Sequence, residues 1–272
     1  MLDLPPFIAF SAVIFVGLVF GSFATALIYR VPRNISWWSV NSRTQDAVRS
    51  ACTHCGEKLK PVDLIPLFSW LFNAGKCRYC RAPISLTYPL AELMSCAAVI
   101  GVYAVYGLSY EALFIMAVIP FLVALFFIDI ETMRLPDQLV LISGLIGLFY
   151  VAFLLYSAPS IDEMKTVLSM KATGFFVYGA LIWGLGKITS FVLKKPSLGF
   201  GDVKFYLVAG LWLGIDFIPV YMILCGICGI VFGLFYTRIY KIKFFPFGPA
   251  IILSLYICLI LQGAGFHFLG YN

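Results

Sequence analysis

The side chains able to do chemistry are few: 13 aspartates and glutamates, 8 cysteines and 2 histidines in 272 residues. Four of the cysteines stand as Cys52-Thr53-His54-Cys55 and Cys77-Arg78-Tyr79-Cys80, two C-x2-C pairs with 21 residues between them (56–76). That gap is slightly longer than the usual zinc-ribbon spacing. Each pair can turn two thiolates toward one tetrahedral centre, a donor set that suits a structural zinc ion with no open coordination position. In a reducing compartment two disulfides explain the pattern less well, and a redox pair and unliganded thiols stay open beside the metal. Cys96, Cys225, Cys228 and Cys258 fall in apolar runs, where small residues serve close helix contact. His54 lies inside the first knuckle and could compete as a ligand, while His267 reads as an exposed tail residue. No histidine and serine stand in an arrangement that suggests a serine-type triad.

Three acids stand at the edges of long apolar runs. Asp129 ends Phe126-Phe127-Ile128-Asp129, Asp202 opens Gly199-Phe200-Gly201-Asp202-Val203-Lys204, and Glu92 lies one turn into another run. An ionisable group at such a place is costly and is a functional hypothesis by default. Two facing carboxyls that share a proton can work as acid and base, one activating water while the other protonates a carbonyl or a leaving nitrogen. Gly199 and Gly201 would let backbone or substrate come close. The plainer readings are that Asp129 pairs with Arg134, that Asp202 caps a helix, or that both titrate in proton transport.

The elements that must hold these groups are set by composition. Hydrophobic residues make up 62% of the chain and charged ones 12%, against about 45 to 50% and about 25% in soluble domains. With a mean hydropathy of +0.97, a soluble globule is excluded. Apolar runs bounded by charges or turn residues fall near 6–28, 87–107, 112–128, 138–156, 171–193, 203–214, 216–236 and 247–265. A crossing takes about 20 residues, so the sixth run is too short alone and is either a half-span or part of a bent element running past Asp216. The first has no basic residues before it and no cleavage site after it, which reads as a retained anchor. The expected fold is therefore an all-α polytopic membrane protein with about eight transmembrane helices. Its divisions are a first transmembrane helix (1–28), a small cytoplasmic zinc-ribbon-like domain carrying the four knuckle cysteines (29–86) and a transmembrane domain (87–272).

Alternating eight spans places every one of the 19 lysines and arginines except Lys165 and Lys171 on one side of the lipid bilayer. Positive charge resists translocation, so that side is expected to be cytoplasmic. The net charge of +6 is thus a topology signal, and with no basic helix or RNA-binding motif a nucleic-acid partner is not expected. The same alternation puts Asp129 and Asp202 at one cytoplasmic depth on different helices.

Gly199-Phe200-Gly201-Asp202-Val203-Lys204 resembles the G-x-G-D motif of intramembrane aspartyl proteases, and Ile128-Asp129 followed by Leu135-Pro136-Asp137 resembles the first aspartate block of the type IV prepilin peptidases. Tyr88-Pro89-Leu90-Ala91-Glu92 and Pro246-Phe247-Gly248-Pro249 match two further blocks of that family, as do the paired C-x2-C knuckles after the first span. The resemblance runs from about Gly21 to Pro249. It implies a bacterial inner-membrane endopeptidase that removes the basic leader from type IV prepilins or type II secretion pseudopilins on the cytoplasmic side. Many members also methylate the new N-terminus with S-adenosylmethionine. Carried over by motif, Asp129 and Asp202 are the catalytic pair, with Gly199, Gly201 and Lys204 as supporting residues, and Cys52, Cys55, Cys77 and Cys80 are the zinc ligands. Asp137, which follows Leu-Pro and precedes an apolar run, is expected to cap a helix. The chain departs from the family pattern at Thr25, where Asn is usual, at Thr53 after the first cysteine, where Pro is usual, and at Leu64-Ile65-Pro66, where Asn-Ile-Pro is usual. No glycine-rich nucleotide loop marks a place for the methyl donor. A proton-coupled transporter using the two aspartates, and a non-catalytic component of pilus or secretion assembly, are the readings from other classes.

Overall fold

Among the described residues, eight helices of 14 residues or more make up most of the fold, and their ends are set by local signals of familiar kinds. The structure, a computed structural model, describes residues 5–37, 50–194, 198–241 and 245–266. Arg43, Arg49, Lys195 and Lys243 of the charge count, and His267, lie outside the described residues. Helix α1 spans Pro6–Arg30; the short α2 (Phe68–Phe72) belongs to the cysteine loop; α3 (Thr87–Tyr106), α4 (Tyr110–Thr132), α5 (Asp137–Ser157), α6 (Ile161–Leu193), α7 (Phe200–Leu213), α8 (Ile218–Tyr240) and α9 (Gly248–Gly263) follow. Gly107 at φ 61° stops α3, and the Ser109 hydroxyl accepts from the Ala112 amide at 3.1 Å to start α4. Among the described residues, extended pairing is confined to isolated bridges in the cysteine loop.

Six of these helices are long and apolar enough to cross a bilayer, and the protein is a multi-pass membrane protein. The expected eight runs correspond to the eight long helices, with two qualifications. Helix α7 has 14 residues and α9 has 16, short of the roughly 20 that span hydrocarbon unaided. Gly214, at φ 77°, ends α7, and a single 3-10 turn (Ile215–Phe217) carries the chain into α8, so the sixth and seventh runs are separate helices.

The larger departure from expectation is α6, which starts ten residues before the apolar run 171–193. Ser160 caps it by accepting from the Glu163 amide at 3.2 Å. Asp162, Glu163, Lys165, Thr166 and Ser169 in its first turns hide it from a hydropathy reading. Lys171, in the third turn of this helix, is only 6% exposed.

Helix α4 is central, packed on α1, α3, α5 and α9, while α7 packs on α5, α6 and α9. Small residues set the closest approaches, as expected where helix association in lipid rests on packing. A Cβ on Gly21 would fall 2.5 Å from the Glu92 Cα, and one on Gly210 would meet the Gly174 backbone. Glycine at these places lets α1 touch α3, and α7 touch α6, backbone to backbone. Cys225 and Cys258 are buried in the bundle, and the Cys96 thiol sits 3.9 Å from the Ile14 carbonyl, consistent with a packing role.

Candidate active site and metal centre

Asp129 occupies the last turn of α4. Met133, at φ 52°, stops the helix by donating its amide to the Asp129 carbonyl at 2.8 Å. The chain then turns through Leu135 and Pro136 into α5. Asp202 sits in the first turn of α7, next to the two glycines of its motif. The two carboxyls line one cavity of about 450 Å³, walled also by Arg134, Leu135, Lys204 and Phe247, and they interact electrostatically.

Each glycine of the motif has a defined task. The Gly199 backbone hydrogen-bonds the Asp202 carboxyl, and a Cβ there would stand 3.2 Å from its Oδ2. A Cβ on Gly201 would stand 3.2 Å from the Leu135 Cβ, so Gly201 lets α7 close against the α4–α5 turn. The Lys204 ammonium pairs with the Asp137 carboxylate at 2.7 Å and lies 4.9 Å from the Phe200 ring centre. Asp137 therefore does not cap α5 as expected. Pro136 takes the cap position, Asp137 is the first helical residue and makes no capping hydrogen bond, and its carboxylate turns to α7. Arg134 lines the cavity without forming an ion pair to Asp129 among the described residues.

Sequence reasoning missed the group that holds Asp129. The Gly248 amide, at the start of α9, donates to Asp129 Oδ2 at 2.8 Å in a buried contact. A Cβ on Gly248 would lie 2.5 Å from that oxygen and 2.7 Å from Cγ. The Pro246-Phe247-Gly248-Pro249 block thus delivers a backbone donor to a carboxylate 119 residues earlier. The block itself was visible in the sequence, but a backbone amide leaves no side-chain signature of its target.

The four knuckle cysteines converge: their sulfur atoms all lie within 4.8 Å of one another, close enough to hold a metal ion. His54 is not part of the group. The two knuckles are built alike. The amides of Cys52 and Cys77 donate to the carbonyls of Glu57 and Ala82, and the fourth residue on, Gly56 or Arg81, has positive φ and returns its amide to the cysteine carbonyl. Hydrogen bonds, that from the Cys55 backbone foremost, lower the Cys52 thiol to about 6, whereas at Cys55 the Glu57 backbone hydrogen bond is outweighed by burial and the neighbouring thiols, which push it up to about 11, so Cys52 is the thiol of this knuckle that ionises first. Asp63 fastens the second knuckle to the intervening segment, accepting from the Lys60 amide at 3.0 Å and the Tyr79 hydroxyl at 2.9 Å, with Arg78 at 3.7 Å. Partial burial works against its charge, but these three partners outweigh it and hold the carboxyl below its ordinary range. The loop is moored to the bundle where the Leu67 amide donates to Glu92 Oε2 at 2.7 Å.

A second, larger cavity of about 980 Å³ lies between α1, the start of α3 and the cysteine loop, and reaches Glu131 at the end of α4. The four-cysteine group and the paired aspartates are therefore at the same end of the bundle.

Comparison with known proteins agrees with this arrangement. Residues 15–106 match the family described as Bacterial Peptidase A24 N-terminal domain, and residues 116–234 match the Type IV leader peptidase family. A prepilin leader peptidase/N-methyltransferase of Aeromonas hydrophila is 31% identical, covering 94% of this chain and 91% of the relative. A type 4 prepilin-like proteins leader peptide-processing enzyme of Escherichia coli is 33% identical over 90% of this chain and 91% of its own. A Neisseria gonorrhoeae prepilin leader peptidase/N-methyltransferase is 31% identical over 89% and 86%. No solved structure matches the chain. With the similarity running through both the cysteine loop and the helical bundle, the chain belongs to the type IV leader peptidase family.

Proposed function

We propose that this protein is a membrane aspartyl endopeptidase that cleaves the leader from type IV prepilins or type II secretion pseudopilins, and that it N-methylates the new terminus. The observation that carries the peptidase reading is the pairing of Asp129 and Asp202 in one cavity, with the Gly248 amide fixing the first and Gly199 the second. In such a pair the ionised carboxylate takes a proton from water as the oxygen attacks the scissile carbonyl, and the protonated partner gives its proton to the carbonyl oxygen. The second half of the reaction returns a proton to the leaving nitrogen, so neither carboxyl is consumed. The Lys204–Asp137 ion pair ties α7 to α5 beside the carboxyls and limits how far they can drift apart.

The cysteine loop is proposed to hold one structural zinc ion on Cys52, Cys55, Cys77 and Cys80. A full thiolate set leaves no open position, and the segment is too small to stabilise itself by burial alone. The loop and the aspartates are proposed to face the cytoplasm of a bacterial inner membrane, because the lysines and arginines cluster at that end. S-adenosylmethionine is proposed as the methyl donor; when bound, it supplies an electrophilic methyl group to the amine that cleavage exposes.

Purified protein in detergent, incubated with a prepilin, should release a product whose N-terminal sequence begins at the leader junction. Asp129→Asn and Asp202→Asn should each abolish cleavage while leaving insertion intact, and the double variant should be no worse than either, because the pair acts as a unit. Substantial cleavage by either single variant at wild-type protein levels would end the dyad reading.

A further inference from the structure

A polypeptide cut where α4 ends and α7 begins has one flank in water and the other at the edge of the hydrocarbon. The basic leader takes the water side, so the residues beyond the cut enter lipid, where charge is costly, and carry apolar side chains. The cavity of the carboxyl pair is divided in the same way. Toward α5 its wall is charged, with Arg134 and the Lys204–Asp137 ion pair. The Phe200 ring stands on that side as well, with the Lys204 ammonium over it at 4.9 Å. Toward α8 the wall is aromatic, because Phe245 and Phe247 line it just ahead of the Gly248 amide that holds Asp129.

Both rings rest on a ledge of α8. Gly229 and Gly233 stand four residues apart, on one face of that helix. A Cβ on Gly229 would fall 2.8 Å from Phe247 Cε2. One on Gly233 would fall 3.0 Å from both Cε1 and Cζ of Phe245, and its three nearest atoms all belong to that ring. Neither glycine has positive φ, so the backbone does not demand glycine there. Glycine weakens a helix interior, and what it provides here is the space in which the rings lie back. Phe245 remains 36% exposed, and beside and behind the ledge α8 exposes Ile230, Val231, Leu234 and Phe235. An apolar surface therefore continues from the lipid-facing side of α8 to the carboxyl pair.

We infer that Phe245 and Phe247 form the seat for the side chain that follows the scissile bond, and that Gly233, by letting the Phe245 ring lie back against α8, sets how large that side chain can be. The inference rests on the peptidase reading above and adds to it the choice of substrate. Two rings beside Asp129 offer a flat apolar face, and such a face gains most from an aromatic neighbour, through buried area and ring-on-ring contact. The cavity of about 450 Å³ falls within the roughly 300–1,000 Å³ typical of small-molecule sites, which leaves room for one large side chain beside the scissile peptide. Phe245 touches the substrate in this arrangement. Gly233 does not, and as a positioning residue it acts only through the Phe245 ring.

The test uses full-length protein in lipid nanodiscs and a prepilin made in two versions, with phenylalanine or alanine immediately after the cut. The quantity read is the ratio of kcat/KM for the two. The wild type should favour phenylalanine at least tenfold, since a hydrophobic pocket discriminates by about 10- to 200-fold for a single methylene. Gly233→Ala forces the Phe245 ring off its ledge and into the cavity, and should cut the ratio at least tenfold, chiefly by slowing cleavage of the phenylalanine version. Phe245→Ala removes half the seat and should cut the ratio by a similar factor. It only deletes atoms from a partly exposed ring, so it keeps the test decisive if Gly233→Ala does not fold. In the Phe245→Ala background Gly233→Ala should do nothing more, because the added methyl then meets no ring. Gly226→Ala, whose Cβ meets nothing within 4 Å, should keep the wild-type ratio. A wild-type ratio near one, a ratio unchanged in both variants, or a further fall when they are combined overturns the placement while leaving the peptidase reading standing. Absence of cleavage of either version by the wild type overturns both.

Discussion

Replacing Gly248 by alanine isolates the contribution of one backbone amide to the carboxyl pair. The added methyl would stand 2.5 Å from Asp129 Oδ2, 2.7 Å from Cγ and 3.0 Å from Cβ, all closer than nonbonded carbon and oxygen atoms tolerate. The carboxyl must swing away and surrender the 2.8 Å hydrogen bond from the Gly248 amide. A hydrogen bond to a charged group contributes about 1.5–3 kcal/mol, and about 1.4 kcal/mol is tenfold in rate. The expected loss in kcat is thus on the order of 10- to 150-fold, with KM little changed because no substrate contact is removed. Stability should fall, because forcing a methyl against a buried carboxyl and orphaning its hydrogen bond costs about 1–3 kcal/mol, offset only in part by the backbone. Gly248 is helical and not among the positive-φ residues, and alanine in a helix gains roughly 0.5–1 kcal/mol over glycine. Gly226→Ala is the matching control, since a Cβ there meets nothing within 4 Å. Leader cleavage by Gly248→Ala at the wild-type rate, with the protein folded, would refute the view that the Gly248 amide sets the Asp129 carboxyl.

Three further outcomes are expected. One zinc ion per chain should co-purify, and Cys77→Ser should remove it and expose residues 50–86 to protease before the helices are affected, with less loss of cleavage than the aspartate variants show; zinc-free protein with an intact loop would contradict this. Asp63 has its carboxyl held below the ordinary 3.8, so its contribution to the loop is present above that pH and lost as pH falls through the lower folded value; Asp63→Asn should be protease-sensitive at pH 7, where the wild type is resistant. Lys171→Met should lower the melting temperature and kcat together, because it leaves the buried Trp212 carbonyl without its donor, at a cost of about 1–3 kcal/mol; an unchanged melting curve would show that carbonyl to be satisfied in another way.

What the sequence disclosed follows from which signals are local. The depth of Asp129 and Asp202 is readable because hydropathy alone sets where a run leaves the hydrocarbon, and the four thiols because C-x2-C spacing makes a knuckle in any context. The beginning of α6 was not readable, since its polar first turns look like a loop and only the Ser160 cap distinguishes them. Nor were the partners chosen across the bundle: Asp137 takes Lys204 in place of its own helix end, and Asp129 takes a backbone amide that carries no residue signature. The departures at Thr25, Thr53 and Leu64 all fall in the N-terminal part of the chain, and all three line the larger cavity. They modify one site, away from the carboxyl pair.

The brevity of α7 raises a question that the bundle answers. A helix of 14 residues ends inside the apolar layer, where its last carbonyls have no water to accept from and each unsatisfied group is costly. Lys171, brought in by α6, donates its ammonium to the Trp212 carbonyl, lies 5.7 Å from the Tyr150 ring centre and interacts with Asp216 just beyond the helix. A cation at a helix C-terminus also opposes the negative end of the dipole. The other end of α7 is tied by Lys204 to Asp137. Between these points the Gly210 backbone lies directly on Gly174, and the Trp212 indole donates to the Ser143 carbonyl at 3.1 Å across Gly147. Held at both ends and along two faces, α7 cannot slide by a turn without breaking a buried polar contact. Asp202, the third residue of the helix, therefore keeps a fixed depth against Asp129. The short helix needs the buried lysine for stability, and the same lysine fixes the register of the carboxyl pair.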